Sequence, residues 1–525
     1  MRKKLILGVG VSILGFILLF NSTFFIKCTA QGNVLTDGQL LKLLSNTIEL
    51  VKNYYVDEVS FDKIITGAIN GILESLDPHC TYISPEKAKK FEEEITGDFY
   101  GIGISYDFIG GFLTIINTID GSPASKAGLR PGDKIIKINN HSIINVSLEE
   151  VKSRLNSEDK KIKLEIVRKD KRSIIYITKE KIHIKSIPYA YLLDDSTGYI
   201  KISTFGTQTY SEFKDALYRL DSLGMKQLIV DLRTNSGGLL DQAIKIIDLF
   251  LKGNQEIVST KGRSKDFVEI FYSSDSIDFK VIPLILLISH QTASASEIFA
   301  GAIQDWDRGL VIGTRSFGKG LVQRQFPLGY GASILLTIAK YYTPSGRLIQ
   351  RPYKSKKLFE YFYEDIDSLS ADSSKVFYTK NKRKVYGGGG ISPDYKLDWW
   401  SLSNTVEEIV FNEKRPLFKF AEKLWNEATL DTNFEKFEQN FHVDDSIMMQ
   451  FVEYLKDNDI EVDSSELTNN IEILKNYVLK SIVAYQWGEE KADYIFNKRN
   501  KNCRLILSYF QEARKLAEIY RKNSK

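Results

Sequence analysis

The sequence predicts a multidomain α+β protein: a helical N-terminal segment, a compact β-rich module, a layered α/β core and a helical C-terminal extension. Three observations predict it. Apolar residues recur at helical spacing up to about residue 94 and again beyond Trp400. Between about residues 97 and 182, short alternating apolar runs are separated by glycine-bearing turns. From about 183 to 398, fully apolar strand-length runs alternate with amphipathic helical stretches, the mark of a layered α/β core.

A chain of 525 residues has room for three or four domains of ~150 residues. Its 43% hydrophobic and 26% charged content is ordinary for a folded soluble protein. The net charge of +4 is small for this length, and no basic run interleaves with aromatics, so nothing points to nucleic acid. The three cysteines, Cys28, Cys80 and Cys503, form no CxxC pair, which argues against a zinc or thioredoxin-type site.

Residues 1–30 carry the targeting information. Arg2-Lys3-Lys4 precedes an apolar stretch from Leu5 to Phe20, and Phe24-Phe25-Ile26 adds a second patch. This reads as an export signal, with Cys28-Thr29-Ala30 offering small residues for cleavage after Ala30. An uncleaved anchor is the alternative, since Leu5 to Ile26 could span a hydrocarbon core of ~30 Å with the positive charges left inside. A buried core helix fits less well, because the stretch is terminal and has no polar face. Bulky Phe25-Ile26-Lys27 disfavours lipid modification of Cys28.

Residues 35–96 form the helical segment. Leu40, Leu41, Leu44, Ile48 and Val51 share one face, and Gly67 to Leu73 continues the pattern. Leu76-Asp77-Pro78-His79-Cys80-Thr81-Tyr82 breaks it, and His79 reads as a loop residue.

Residues 97–182 form the β-rich module. Gly121-Ser122-Pro123-Ala124 and Gly128-Leu129-Arg130-Pro131-Gly132-Asp133 are turn chemistry. Ile135, Ile136 and Ile138, then Ile162, Leu164 and Ile166, then Ile175 and Ile177 mark strands, and Ser147-Leu148-Glu149-Glu150 opens a short helix. The module resembles a PDZ domain, and Gly128-Leu129-Arg130-Pro131-Gly132-Asp133-Lys134-Ile135 is the specific part of that match. The amides of Gly101, Ile102 and Gly103 can converge on a carboxylate, with a peptide added as a strand beside Ile104 and its last side chain lodged near Leu148 and Val151. The alternative is that these glycines only serve a tight turn.

Residues 183–398 form the core. Gly198 to Ile202, Leu228 to Leu232 and Val281 to Ile288 read as strands, and helices follow from Ser211 and after Gly237-Gly238. The charged stretch 354–384 reads as a surface insertion, and Tyr386 to Asp394 closes the domain. In the extension, residues 400–525, Ile447, Phe451 and Leu455, then Ile471, Leu474, Val478 and Ile482, indicate packed helices.

The chemistry lies at Ser294-Ala295-Ser296-Glu297-Ile298 and at Gly318-Lys319-Gly320-Leu321-Val322-Gln323. Ser294 follows a buried strand where a helix should begin. It offers a hydroxyl nucleophile, or it merely caps the helix through Ser294-Ala295-Ser296-Glu297. Lys319 can accept the serine proton only if burial lowers its pKa by several units from ~10.4; otherwise it is a surface lysine in a glycine turn. Gln323 could orient the amine without adding charge. The amides of Gly237 or Gly238 and of Ala295 could form an oxyanion hole. His290 is the rival base, with no evident partner carboxylate. Asp305, eleven residues beyond Ser294, reads as helix support or indirect help to the site.

Taken in order, these segments resemble the carboxy-terminal (tail-specific) processing proteases over most of residues 40–395. The resemblance rests on Leu76-Asp77-Pro78-His79-x-Thr81-Tyr82, the PDZ-like module, Asp231-Leu232-Arg233-x-Asn235-x-Gly237-Gly238, Ser294 to Ile298, Phe317-Gly318-Lys319-Gly320-x-Val322-Gln323 and Gly389-Gly390-Ile391-x-Pro393-Asp394. It implies a ClpP/crotonase-like protease core and a Ser–Lys–Gln site at Ser294, Lys319 and Gln323. The 25-residue interval between Ser294 and Lys319 matches the family spacing and favours Ser294 over Ser296. It further implies that the PDZ module captures a substrate C-terminus and gates the site, without metal or other cofactor. Ser236 stands where the family often has proline, and Cys80 where it has a serine or similar small residue. The expectation is an exported endopeptidase of the bacterial periplasm acting on envelope proteins. A non-catalytic PDZ scaffold is the alternative, and the C-terminal helices are open to an adaptor or to self-association.

Overall fold

The computed structural model describes residues 34–275, 279–354, 358–363, 375–397 and 402–523. The expected export segment, residues 1–30, lies outside them. Among the described residues no helix is long and apolar enough to cross a membrane. The chain forms two compact units, Met1–Ile72 and Leu73–Lys525. In the first, Thr36 caps the helix Asp37–Tyr54, with the Thr36 N–H donating to Gln39 Oε1 at 2.8 Å. A second helix, Phe61–Glu74, starts in this unit.

The second unit begins with the turn at Asp77–Cys80, the strand Thr81–Ile83 and the helix Pro85–Thr96. The β-rich module follows. Its antiparallel strands run Ile104–Ile109, Phe112–Thr118, Lys134–Ile138, Lys161–Arg168 and Lys171–Thr178, in that spatial order. Alternate residues Leu113, Ile115, Ile135, Ile162, Leu164 and Ile166 point inward to one core, as the period of a strand requires. Ile104–Ile109 is the edge of this sheet, paired among the described residues with Phe112–Thr118 alone. Ser147 caps the helix Leu148–Leu155 by accepting the Glu150 N–H. Chain entry and exit pair as a stem, Asp98–Gly101 against Glu180–His183.

The core sheet runs Tyr189–Leu192, Thr197–Lys201, Gln227–Asp231, Leu284–Ile288, Leu310–Gly313 and Tyr395–Lys396. All neighbours after the first antiparallel pair are parallel. Its strands read as unbroken apolar runs because both faces are covered. Ile200, Leu228, Val230, Leu284, Leu286 and Val311 pack on one face with residues of the helices Thr209–Ser222, Leu240–Asp248 and Ala295–Asp305. The alternate residues Tyr199, Ile229, Ile285, Leu287, Leu310 and Ile312 pack on the other face against Cys503, Ile506, Phe510, Ala513 and Leu516. The end of the C-terminal extension therefore supplies a layer of the core. Each side chain buried this way contributes about 1.5–3 kcal/mol, so the layer is integral to the fold.

A second sheet places the functional strand. Ala332–Tyr342 pairs with Leu321–Gly329, and also with Thr81–Ile83 and Glu256–Gly262. The segment at residue 80 and that at residue 323 meet the same stretch of it, through Thr337. The rest of the extension, from Asn404–Val410 to Glu489–Arg499, has its own core around Phe420, Phe451, Leu474 and Ile482. It is tied to the core sheet by Tyr191 OH donating to Asp493 at 2.7 Å, and to the β-rich module by Arg415 donating to Asp107 at 2.7 Å.

Candidate active site

Ser294 stands at the turn between the strand Leu284–Ile288 and the helix Ala295–Asp305, with φ 54° and ψ −118°. Positive φ crowds a Cβ against the backbone, so a serine holds it only where its surroundings impose it. They do so here. The Ala293 N–H and the Ser296 hydroxyl both donate to Asn235 O, and Tyr341 OH donates to Ser294 O. Asn235 is fully buried, and its Oδ1 takes the Gly237 N–H at 2.8 Å.

Glu297, read from sequence only as part of a helix cap, organises the site. Its Oε2 accepts both the Ser294 N–H and the Lys319 N–H, each at 2.9 Å. Its Oε1 accepts the Gly318 N–H at 2.7 Å and the Ser316 hydroxyl at 2.5 Å. The Ser294 turn and the Lys319 loop thus hang on one oxygen atom. Burial pushes the Glu297 pKa up, while these four donors favour the carboxylate and oppose that rise.

Lys319 sits between glycines that allow close approach. A Cβ on Gly318 would meet Gly390 N at 3.0 Å, and one on Gly320 would meet Gln350 N at 2.8 Å. The Lys319 side chain is half-buried, and burial lowers its pKa below lysine's ordinary 10.5, with Asp77 and Glu297 pulling the other way. Its amine donates to Gln323 Oε1 at 2.6 Å, and Gln323 Nε2 donates to His79 O. The Ser294 hydroxyl and the Lys319 amine are not hydrogen bonded to one another.

Other expected residues fall elsewhere. Gly237 cannot serve the oxyanion hole through its amide, because that N–H is spent on Asn235. Its role is contact: a Cβ there would meet Ser294 Cβ at 2.7 Å. The amides of Gly238 and Ala295 have no partner among the described residues; Gly238 is an exposed residue, and Ala295 opens its helix in a buried position. His290 is exposed in its turn, without a hydrogen bond among the described residues. Asp305 is structural: it pairs with Arg347 at 2.7 Å, both side chains fully buried. His79 is a turn residue as expected, yet it is buried and hydrogen bonded to Tyr361 OH at 3.0 Å.

In the β-rich module the carbonyls of Ile102 and Gly103 accept the Ala124 and Ile119 N–H groups, and the amides of Ile102 and Gly103 have no partner among the described residues. Gly103 has φ +78°, and a Cβ would strike Ser122 Cβ at 2.4 Å. Gly101 is tied into the stem opposite Glu180, and Ile104 opens the free edge strand. Leu148 is 43% exposed, whereas Val151, expected beside it in a pocket, is fully buried in the module's core.

Residues 196–354 match peptidase family S41, residues 90–167 match the PDZ domain, and residues 414–488 match a family of unknown function, DUF8443. A carboxy-terminal-processing protease of Bartonella bacilliformis is 40% identical over 319 residues, 59% of this chain and 72% of that protein. The chain belongs to the carboxy-terminal-processing proteases of peptidase family S41. A probable CtpA-like serine protease of Staphylococcus aureus is 33% identical over 344 residues, 65% of this chain and 69% of that one. Among solved structures, the photosystem II D1 C-terminal processing protease aligns at 23% identity and TM-score 0.36, covering 72% of this chain and 99% of that one. As a member of this family the chain is a carboxy-terminal-processing serine protease, with a PDZ domain and a peptide as its substrate. The DUF8443 match lies within the extension, whose final helices pack on the protease core.

Proposed function

We propose that Ser294 is the nucleophile and Lys319 the general base and acid of this protease. The observation that carries the reading is the single Glu297 oxygen that takes the amides of both residues, beside a half-buried lysine whose pKa is lowered. A neutral amine has two N–H groups and one lone pair. With one N–H on Gln323 Oε1, the lone pair is left to accept the Ser294 proton after rotation of the lysine side chain. Ser294 Oγ then attacks the substrate carbonyl as the proton moves to Lys319 Nζ. Lys319 returns it to the leaving amine, and water hydrolyses the acyl-enzyme by the same route. The amides of Gly238 and Ala295 hold the developing oxyanion.

The PDZ domain takes the substrate's terminal carboxylate on the amides of Ile102 and Gly103, with the peptide laid along Ile104–Ile109 and its last side chain near Leu148. The domains divide as residues 97–182 for the PDZ module, 183–398 for the protease core and 400–525 for the extension. The segment 1–30 exports the protein to the periplasm of a bacterium, as a cleaved signal or an inner-membrane anchor, and its substrates are envelope proteins cut near their C-termini. Purified Ser294→Ala, incubated with a peptide ending in a free carboxylate, tests the assignment. Mass spectrometry should show intact peptide where the wild type gives fragments. Cleavage at the wild-type rate would remove Ser294 from the mechanism.

A further inference from the structure

The stretch 354–384 carries more than surface charge. It contains the helix Leu358–Tyr363, and Tyr361 in that helix is 1% exposed. The phenol closes a ring of hydrogen bonds around the lysine. Lys319 Nζ donates to Gln323 Oε1, and Gln323 Nε2 donates to His79 O. His79 Nε2 meets Tyr361 OH at 3.0 Å, and Gln350 Nε2 donates to the same hydroxyl at 3.1 Å. Gln350 Oε1 accepts the N–H of Gly320, next to the lysine, at 2.8 Å.

We propose that Tyr361 is a positioning residue for Lys319, fixing the amine from two sides through His79–Gln323 and through Gln350–Gly320. The inference rests on the assignment of Lys319 as the base. Gln350 gives an N–H to the phenol oxygen, and the phenol's own proton is assigned to His79 Nε2 as acceptor. That assignment needs a neutral imidazole with Nε2 unprotonated, in line with the burial that is the largest cause lowering the His79 pKa to about 4. With the Gln323 amide nitrogen committed to the His79 carbonyl, its oxygen faces Lys319. The glutamine therefore offers an acceptor and leaves the lysine lone pair free.

Packing makes the ring rigid. The His79 ring stands edge-on to Tyr361 and Phe317, at 5.3 and 6.3 Å between centroids. The Arg351 guanidinium lies between Phe317 and Tyr361, at 3.9 and 4.1 Å from their centroids. These contacts belong to the aromatic ring of Tyr361, so removing only its hydroxyl leaves them in place.

The test is steady-state cleavage of one peptide by full-length wild type, Tyr361→Phe, Gln350→Met and Lys319→Ala across a pH series. Tyr361→Phe is expected to lower kcat about tenfold with KM within about twofold, since misplacing a base by a fraction of an ångström acts on the chemical step. Its acidic limb of kcat/KM should move to higher pH, because a loosened amine gains water. Gln350→Met should shift both in the same direction by less. Wild-type kcat for Tyr361→Phe, or a lower kcat with the acidic limb unmoved, overturns the inference while Lys319→Ala remains inactive. Cleavage by Lys319→Ala at the wild-type rate would instead overturn the assignment beneath it.

Discussion

The amine of Lys319 donates to Gln323 Oε1 at 2.6 Å, so the group that orients the base is an uncharged amide. A carboxylate in its place would favour the protonated amine. The isosteric change Gln323→Glu is therefore expected to raise the lysine pKa, the effect of an opposite charge within ~4–6 Å. Activity is carried by the neutral amine and rises with pH through that pKa. The variant's kcat/KM should fall at least about tenfold near neutral pH and recover toward the alkaline end, as pH-rate profiles would show.

Glu297 accepts four donors in a site without water-facing room. A glutamine side chain there would turn an amide NH2 toward two of them. Each buried donor left unmade costs about 1–3 kcal/mol. The substitution Glu297→Gln should thus cost about 2–6 kcal/mol in stability and, because it frees Ser294 from Lys319, reduce kcat well beyond what KM changes explain. Thermal unfolding and steady-state kinetics read the two effects separately.

Asp305 and Arg347 are both fully buried. Truncating the acid leaves an uncompensated guanidinium, at about 3–5 kcal/mol. Asp305→Ala is expected to fall by that amount in denaturant unfolding. In folded protein at low temperature, KM for a peptide should stay near wild type, since Asp305 binds Ser345 N–H and Arg347 and no residue of the Ser–Lys–Gln set.

His183 joins the PDZ stem to the core, with Nδ1 2.8 Å from Asp98 and Nε2 2.6 Å from Glu212. Burial pulls its pKa down, but Glu212 and Asp98 outweigh this and raise it above 6.5. A raised pKa in the folded state stabilises fully below 6.5 and fades as pH climbs through the folded value. His183→Gln should lower stability most near pH 5–6, by about 1 kcal/mol for these partly buried pairs, and least at pH 9, as thermal unfolding across that range would show. An unchanged difference across that range would remove the ion pairs from the account.

The layered core was legible in the sequence, because glycine punctuation and apolar runs are local signals; Ser294, Lys319 and Gln323 were singled out there by residue type and family resemblance, and the structure brings Lys319 and Gln323 into contact. The sequence carried Glu297 only as a cap, since one carboxylate can serve a helix start and a loop 22 residues away without changing the local pattern. Tyr361 was illegible: its partner His79 lies 282 residues earlier, and a charged stretch gives no hint of a buried phenol. The last two helices show an amphipathic face, but periodicity says that a face is covered and not by what. The Gly237 amide failed for a related reason, as only geometry shows that Asn235 has taken it.

The central claim is that an uncharged Lys319 takes the proton of Ser294. The most direct measurement is the single-turnover rate at which Lys319→Ala cleaves a peptide ending in a free carboxylate, compared with wild type at the same pH. The account predicts a loss of about 10²–10⁴, the usual contribution of a general base, with peptide binding retained. Cleavage by Lys319→Ala at the wild-type rate would contradict it.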